Sequence, residues 1–504
     1  MKPKFLFFIF VNTVLILFIG SGFFALNQQL NQWSSPQTIP DYHPDTWSPI
    51  LIPDRNRTVH AFTYQWLGED QSDSRRAILY NNWSPETGWT EPVDILLSPL
   101  KNDARLTSAL LDQNGLMHVV FWGGDNTDAR FYYSKAPASE AGKARAWSYP
   151  YMIAANAADP PNSVFFAVDS NNLGILFSGR QDGNGIYATY SQDNGDSWSS
   201  PELVIQSKDR LIRDLQIFQS QSGQINLIWN EITLGAQGRG IYYSSLNKEN
   251  FKWKDPIKLA EAESGLGTQT PAIIEKNGEI FAFFNLGGKI LMRRSRDGGE
   301  IWSNPVPLFL QHVGVNGSLS PVIDSKNVLH LFFGQRITGF PDIHGIWHSV
   351  WQGDHWTEPE AIVSGPQVTD LEGDTAFDPY EARAVVSQGN VVLVTWRSDP
   401  GNKGNGIWYA YEFLDAPELP IATLPSQSIL SNIQTALPLV FPTSLPLSTP
   451  EPSLTARADG LVTASQTSPL NQLSMNTQLL IGILPVTILI AVAWIYLSYQ
   501  RSRR

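Results

Sequence analysis

Cysteine is absent from all 504 residues. That excludes disulfides, thiolate metal sites and a cysteine nucleophile, and leaves apolar burial to hold the fold, which a chain of this size can supply. Positive charge is also scarce. Lys and Arg total 35 against 47 Asp and Glu, the formal charge is −12, and the one basic run is Arg501-Ser502-Arg503-Arg504 at the very end. Nucleic acid is therefore not an expected partner. No Gly-x-Ser-x-Gly elbow, His-Glu-x-x-His, Walker loop or dinucleotide fingerprint occurs, so the common hydrolase, zinc and nucleotide chemistries have no foothold. Asp370-Leu371-Glu372-Gly373-Asp374 lacks the regular ligand spacing of a calcium hand. No metal and no cofactor is expected.

Aromatic and turn residues are what the chain has in quantity: 17 Trp, 16 Tyr, 25 Phe, 38 Gly and 34 Pro. Such a mixture suits short strands joined by tight turns and points to an all-β head. The ends read differently. Residues 1–30 carry Lys2 and Lys4 ahead of an apolar run from Phe5 to Leu26, a signal peptide or an uncleaved signal anchor. Residues 421–477 are rich in Pro, Ser and Thr, as expected of a stalk. Residues 478–498 form a second apolar run, long enough for a transmembrane helix, and the basic tail 499–504 follows. Both charged flanks place the head, residues 31–420, outside the cytoplasm. The expected location is the cell membrane, single-pass, or two-pass if the N-terminal segment is retained.

Within the head one unit repeats. Paired apolar strands around a polar turn occur at 47–66, 108–122, 163–178, 214–230, 270–285, 320–334 and 382–396. A Trp that opens an outer strand recurs at Trp89, Trp147, Trp198, Trp253, Trp302 and Trp356, at intervals of 49 to 58 residues. The last pair has no such Trp after it, whereas Trp33-Ser34-Ser35-Pro36 stands alone 56 residues ahead of Trp89. The spacing predicts a β-propeller of seven four-stranded blades, six being the alternative count, in which an N-terminal strand completes the last blade.

Two turns have a common grammar. Ser191-Gln192-Asp193-Asn194-Gly195-Asp196-Ser197-Trp198 and Ser295-Arg296-Asp297-Gly298-Gly299-Glu300-Ile301-Trp302 share Ser-x-Asp-x-Gly-x-x-Trp. The Ser and Asp side chains can bond turn N–H groups, the Gly takes a left-handed angle and the Trp packs between sheets. This pattern resembles the Asp-box, or BNR repeat, of the sialidase superfamily, whose members are β-propellers. The resemblance implies structural roles for Ser191, Asp193, Gly195, Trp198, Ser295, Asp297, Gly299 and Trp302, on the face away from an active site.

In a propeller, residues at the starts of inner strands and the ends of second strands converge on the opposite, top face. Arg105, Arg213 and Glu381-Ala382-Arg383 occupy starts, and Arg336 and Arg397 occupy ends. Guanidinium forks suit a carboxylate. The sialidase resemblance implies an arginine group for the substrate carboxylate, a Tyr nucleophile paired with a Glu, and an Asp acid/base. By placement, Tyr380 with Glu381 is the nucleophile pair, Asp70 is one of the acidic residues available as acid/base, and Arg105, Arg213, Arg336, Arg383 and Arg397 bind substrate. The family's Arg-Ile-Pro signature is missing; Trp47-Ser48-Pro49 stands there. Three readings follow: a tethered exo-glycosidase acting on terminal sialic-acid-type glycans, a non-catalytic propeller binding surface glycans or a protein partner, or a scaffold for assembly of a membrane complex.

Overall fold

The computed structural model describes residues 32–68, 75–100, 103–125, 128–155, 157, 162–180, 182–207, 210–247, 250–263, 266–336, 344–365, 379–398 and 406–422, without the side chains of 315, 316 and 380. They form seven antiparallel sheets arranged as the blades of a propeller. Blades 1 to 6 follow one another along the chain, at 50–97, 104–155, 163–206, 211–261, 268–308 and 315–365, and blade 7 is built from Pro379–Ser387, Val391–Ser398 and Ile407–Phe413. Each inner strand touches the next, and the inner strand of blade 7 touches Ile50–Pro53 of blade 1, so the ring is closed.

The fourth strand of blade 7 comes from the other end of the chain. Gln37–Thr38 pairs with Tyr409 and Trp408, as the spacing of Trp33 predicts. One hydrogen bond shows that Trp33 is the seventh member of the Trp series. In every blade the residue after the Trp donates its N–H to the third strand. Thr90 does so to Asn82, Ser148 to Lys135, Ser199 to Tyr190, Lys254 to Ser245, Ser303 to Arg294, Thr357 to Val350 and Ser34 to Tyr411, all at 2.8–3.0 Å. Closure gives blade 7 the outer strand the other six have, so Ile407–Phe413 is not left as a bare edge.

Second strands are mostly buried, and Leu116–Gly124 and Ile225–Ile232 are so along their whole length, because they are covered by a blade on each side. The Trp residues fill the seams. Trp198 meets Tyr133 of the preceding blade edge-on at 4.9 Å between ring centres, and Trp302 meets Tyr243 at 5.0 Å. Both Ser-x-Asp-x-Gly turns close as their residue types predict. Ser191 Oγ donates to Asp193 at 2.8 Å, and the N–H groups of Gly195 and Ser197 reach Ser191 Oγ and Asp193 at 2.7 and 2.8 Å. Ser295, Asp297, Gly299 and Ile301 repeat this at 2.8–2.9 Å.

Three of the strand histidines are tied into the same seams. His60 bonds Tyr80 at 2.7 Å and reaches Asp54; His118 bonds Tyr133 at 2.7 Å and Asp112 at 3.2 Å. His330 lies 3.6 Å from Asp324. Among the described residues no helix is long and apolar enough to cross a membrane; the two apolar ends and the Pro-rich stretch lie outside the described residues.

Candidate functional site at the ring axis

The inner strands are not regular. Near their starts, at one level of the ring, five of them carry an extra residue against the second strand. These bulges fall at Thr107, Asp214-Leu215, Thr270-Pro271, Gly317-Ser318 and Glu381-Ala382. Asp214, Thr270 and Glu381 sit there with φ of 54°, 46° and 57°. A left-handed angle costs a non-glycine residue roughly 1–3 kcal/mol, a strain that clusters at functional sites. A bulge also re-aims the side chain it carries.

These bulges surround a cavity of about 600 Å³, whose wall includes Arg213, Asp214, Asn230, Thr270, Glu381 and Arg383. Asn230 donates to Asp214 at 3.4 Å, and Arg213 Nε lies 3.5 Å from the same carboxyl. Burial inside the ring pushes the Asp214 pKa up, against the pull of Arg213. The side chain retains 28% of its surface, but a polar pocket inside a protein solvates a carboxylate less well than bulk water does.

Beside the cavity, where blades 7, 1 and 2 meet, Tyr64 lies within electrostatic range of Arg76, Arg105, Arg397 and Glu381. Burial raises its phenol to about 12, with Arg76 and Arg105 opposing the rise. Asp103 holds two of these arginines: Arg76 contacts both its oxygens at 3.1 and 3.2 Å, and Arg105 contacts one at 3.1 Å. Every cation here also faces a Trp ring. Arg76 lies 3.6 Å over Trp66, Arg105 4.5 Å over Trp122 and Arg397 4.6 Å over Trp47, and Trp47 in turn stacks on Tyr64.

The sequence-derived residues thus divide. Arg213, Glu381 and Arg383 come together on the cavity wall. Arg105 and Arg397 gather around Tyr64, with Glu381 in range of that group as well. Arg336 ends the second strand of blade 6, opposite Val315, and is not among the cavity's described lining residues. Asp70 and the Tyr380 side chain lie outside the described residues. Tyr64, Arg76, Asp103 and Asp214 were not singled out from sequence as a group. Arg76 opens a third strand, a position outside the two considered, and Tyr64 reads as one more member of the run Val59–Trp66.

No family model matches the chain, and no curated protein sequence does. Solved structures do resemble it. The BP39L lectin from Burkholderia pseudomallei matches at 13% identity over 75% of this chain and 99% of the lectin, with a TM-score of 0.52. A PL25 ulvan lyase, solved bound to a GlcA–Rha3S saccharide, matches at 13% over 75% of this chain and 95% of the lyase, at 0.50. NanB sialidase from Streptococcus pneumoniae matches at 14% over 77% and 70%, at 0.42. At such identity the likeness is one of fold.

Proposed function

We propose that the top face of the ring binds an acidic glycan, with a sugar carboxylate docking at the axial mouth. The cavity carries this reading. It has room for a sugar, Arg213 and Arg383 stand on its wall, and Glu381 connects it to the Arg397 side of the Tyr64 group. Arg383 is exposed and Arg213 retains 45% of its side-chain surface, so both forks can receive a carboxylate without breaking an internal pair deep in the fold. The lectin and the ulvan lyase are each named for carbohydrate recognition or processing, which agrees with this reading.

A second reading is hydrolysis of a terminal sialic-acid-type sugar. Its specific support is the approach of a tyrosine, a glutamate and several arginines to one place. In it Tyr64 is the nucleophile in place of Tyr380, and Glu381 accepts the phenol proton, which a group held at about 12 does not release unaided at neutral pH. Against it, Asp103 already engages Arg76 and Arg105. The full-length chain assayed on a fluorogenic α-sialoside separates the readings. Turnover lost in Tyr64→Phe and retained in Tyr380→Phe assigns hydrolysis to Tyr64. Binding of sialylated glycans without turnover leaves recognition alone, and a folded chain showing neither rejects both. For location, the proposal is an extracytoplasmic head tethered through 478–498, checked by protease accessibility in intact cells.

A further inference from the structure

The seam between blades 6 and 7 departs from the rest of the ring at two places that face each other. The hydrogen bond common to all blades fixes which positions correspond. Two residues before the third-strand acceptor, the seven blades carry Tyr80, Tyr133, Ala188, Tyr243, Met292, His348 and Tyr409. His348 is the one imidazole in that set. One residue after the acceptor they carry Trp83, Ala136, Ser191, Leu246, Ser295, Trp351 and Glu412. Glu412 is the one ionisable residue, and it is only 5% exposed.

His348 and Glu360 are a cross-strand pair in blade 6, with Nδ1 2.9 Å from Glu360 Oε1. One ligand atom from each of His348, Glu360 and Glu412 can be chosen so that all lie within 4.8 Å of one another. Glu412 Oε2 is buried and has no hydrogen-bond partner, an arrangement an ionised carboxylate sustains only with a proton or a metal ion to compensate it. Burial pushes the Glu412 pKa up to about 7 and the neighbouring Glu360 pushes the same way, while burial lowers that of His348.

The histidine chain of blade 6 differs from those of blades 1 and 2. In blades 1 and 2 the His Nε2 faces an Asp and Nδ1 faces a Tyr hydroxyl, so an Nε2–H donor and the hydroxyl proton satisfy both contacts. In blade 6, His330 Nε2 faces Asp324 and Nδ1 lies 2.9 Å from His348 Nε2. With the same tautomer for His330, His348 Nε2–H donates in the place of the hydroxyl, and His348 Nδ1 turns a lone pair toward the Glu360 carboxylate, where either a proton or a metal ion held by both can satisfy the contact.

We propose that His348, Glu360 and Glu412 bind a divalent transition-metal ion, Zn²⁺ by ligand type, that pins blade 6 to blade 7 where the N-terminal strand closes the ring. Imidazole and carboxylate are both ligand types that Zn²⁺ accepts, and three protein ligands leave a coordination position for water. His330, with Nδ1 2.9 Å from His348 Nε2, orients the imidazole from outside. Glu360 keeps 60% of its side chain exposed and provides the way in. Trp33 lies across the site, 5.6 Å from the His348 ring and with its Nε1–H 3.4 Å from Glu360. The site is independent of the axial mouth, and the sequence alone gave no expectation of it.

The test is calorimetric titration of ZnCl₂ into the untagged full-length chain after chelator treatment, with thermal unfolding read alongside. A single high-affinity Zn²⁺ per chain is expected, with a raised unfolding midpoint and no competition from Ca²⁺. His348→Tyr restores the side chain that four other blades carry, so it folds, and its Zn²⁺ affinity falls by at least about tenfold. Glu412→Gln behaves likewise. Wild type binding Zn²⁺ no more tightly than His348→Tyr would overturn the assignment and leave a proton as the bridging species.

Discussion

Asp214 ties the stability of the head to pH. Its folded pKa is raised by burial, so the folded state holds this proton more tightly than the unfolded chain does. The stability that goes with the protonated form is complete below the ordinary carboxyl range and is lost as pH rises through the raised folded value. Urea unfolding of wild type and Asp214→Asn across about pH 4 to 8 should therefore show the wild type falling relative to the variant as pH increases. Gly195 gives a second residue-scale test. Its φ is 84°, and a Cβ there would lie 1.9 Å from the Tyr133 hydroxyl. Gly195→Ala should cost about 2–4 kcal/mol. Tyr133→Phe removes the clashing oxygen, so the double variant should be less destabilised than the two single changes added together.

At the scale of the strand, the bulged inner strands trade stability for placement. Glu381→Gly relieves the left-handed strain and should stabilise the head by up to about 1 kcal/mol while weakening glycan binding. Chemical denaturation and a binding titration on the same variant check both halves. The bulges also mark the limit of what the sequence disclosed. The turns around Asp193 and Asp297 were legible because Ser, Asp, Gly and Trp each have a local reason to be there. The Trp series was legible because each ring fills one seam, so its period is the blade's. A bulge is set by how an inner strand meets its partner near the axis. The sequence shows only a break in alternation at Arg213-Asp214-Leu215 and Tyr380-Glu381-Ala382. Hence Glu381 and the arginines were found as residues, whereas Tyr64, Arg76 and Asp103, brought in from other strands, were not.

The whole ring depends on joining its two ends. Trp33 packs edge-on against Phe332 and His348, and Trp33→Ala should destabilise the head by about 2–3 kcal/mol. A chain beginning after Thr38 leaves Ile407–Phe413 as a bare edge. It should unfold at a lower temperature and associate in a concentration-dependent way, as seen by sedimentation. The closed ring in turn brings strand starts from several blades to one axial cavity. The most direct measurement of what that cavity binds is a binding titration of the full-length chain with a sialylated oligosaccharide and its desialylated counterpart, repeated on the Arg213→Ala/Arg383→Ala variant, whose changes lie on exposed side chains. Binding of the acidic glycan alone is expected, lost in the variant while it remains folded. Equal binding of both glycans, or undiminished binding by the variant, would contradict the proposal.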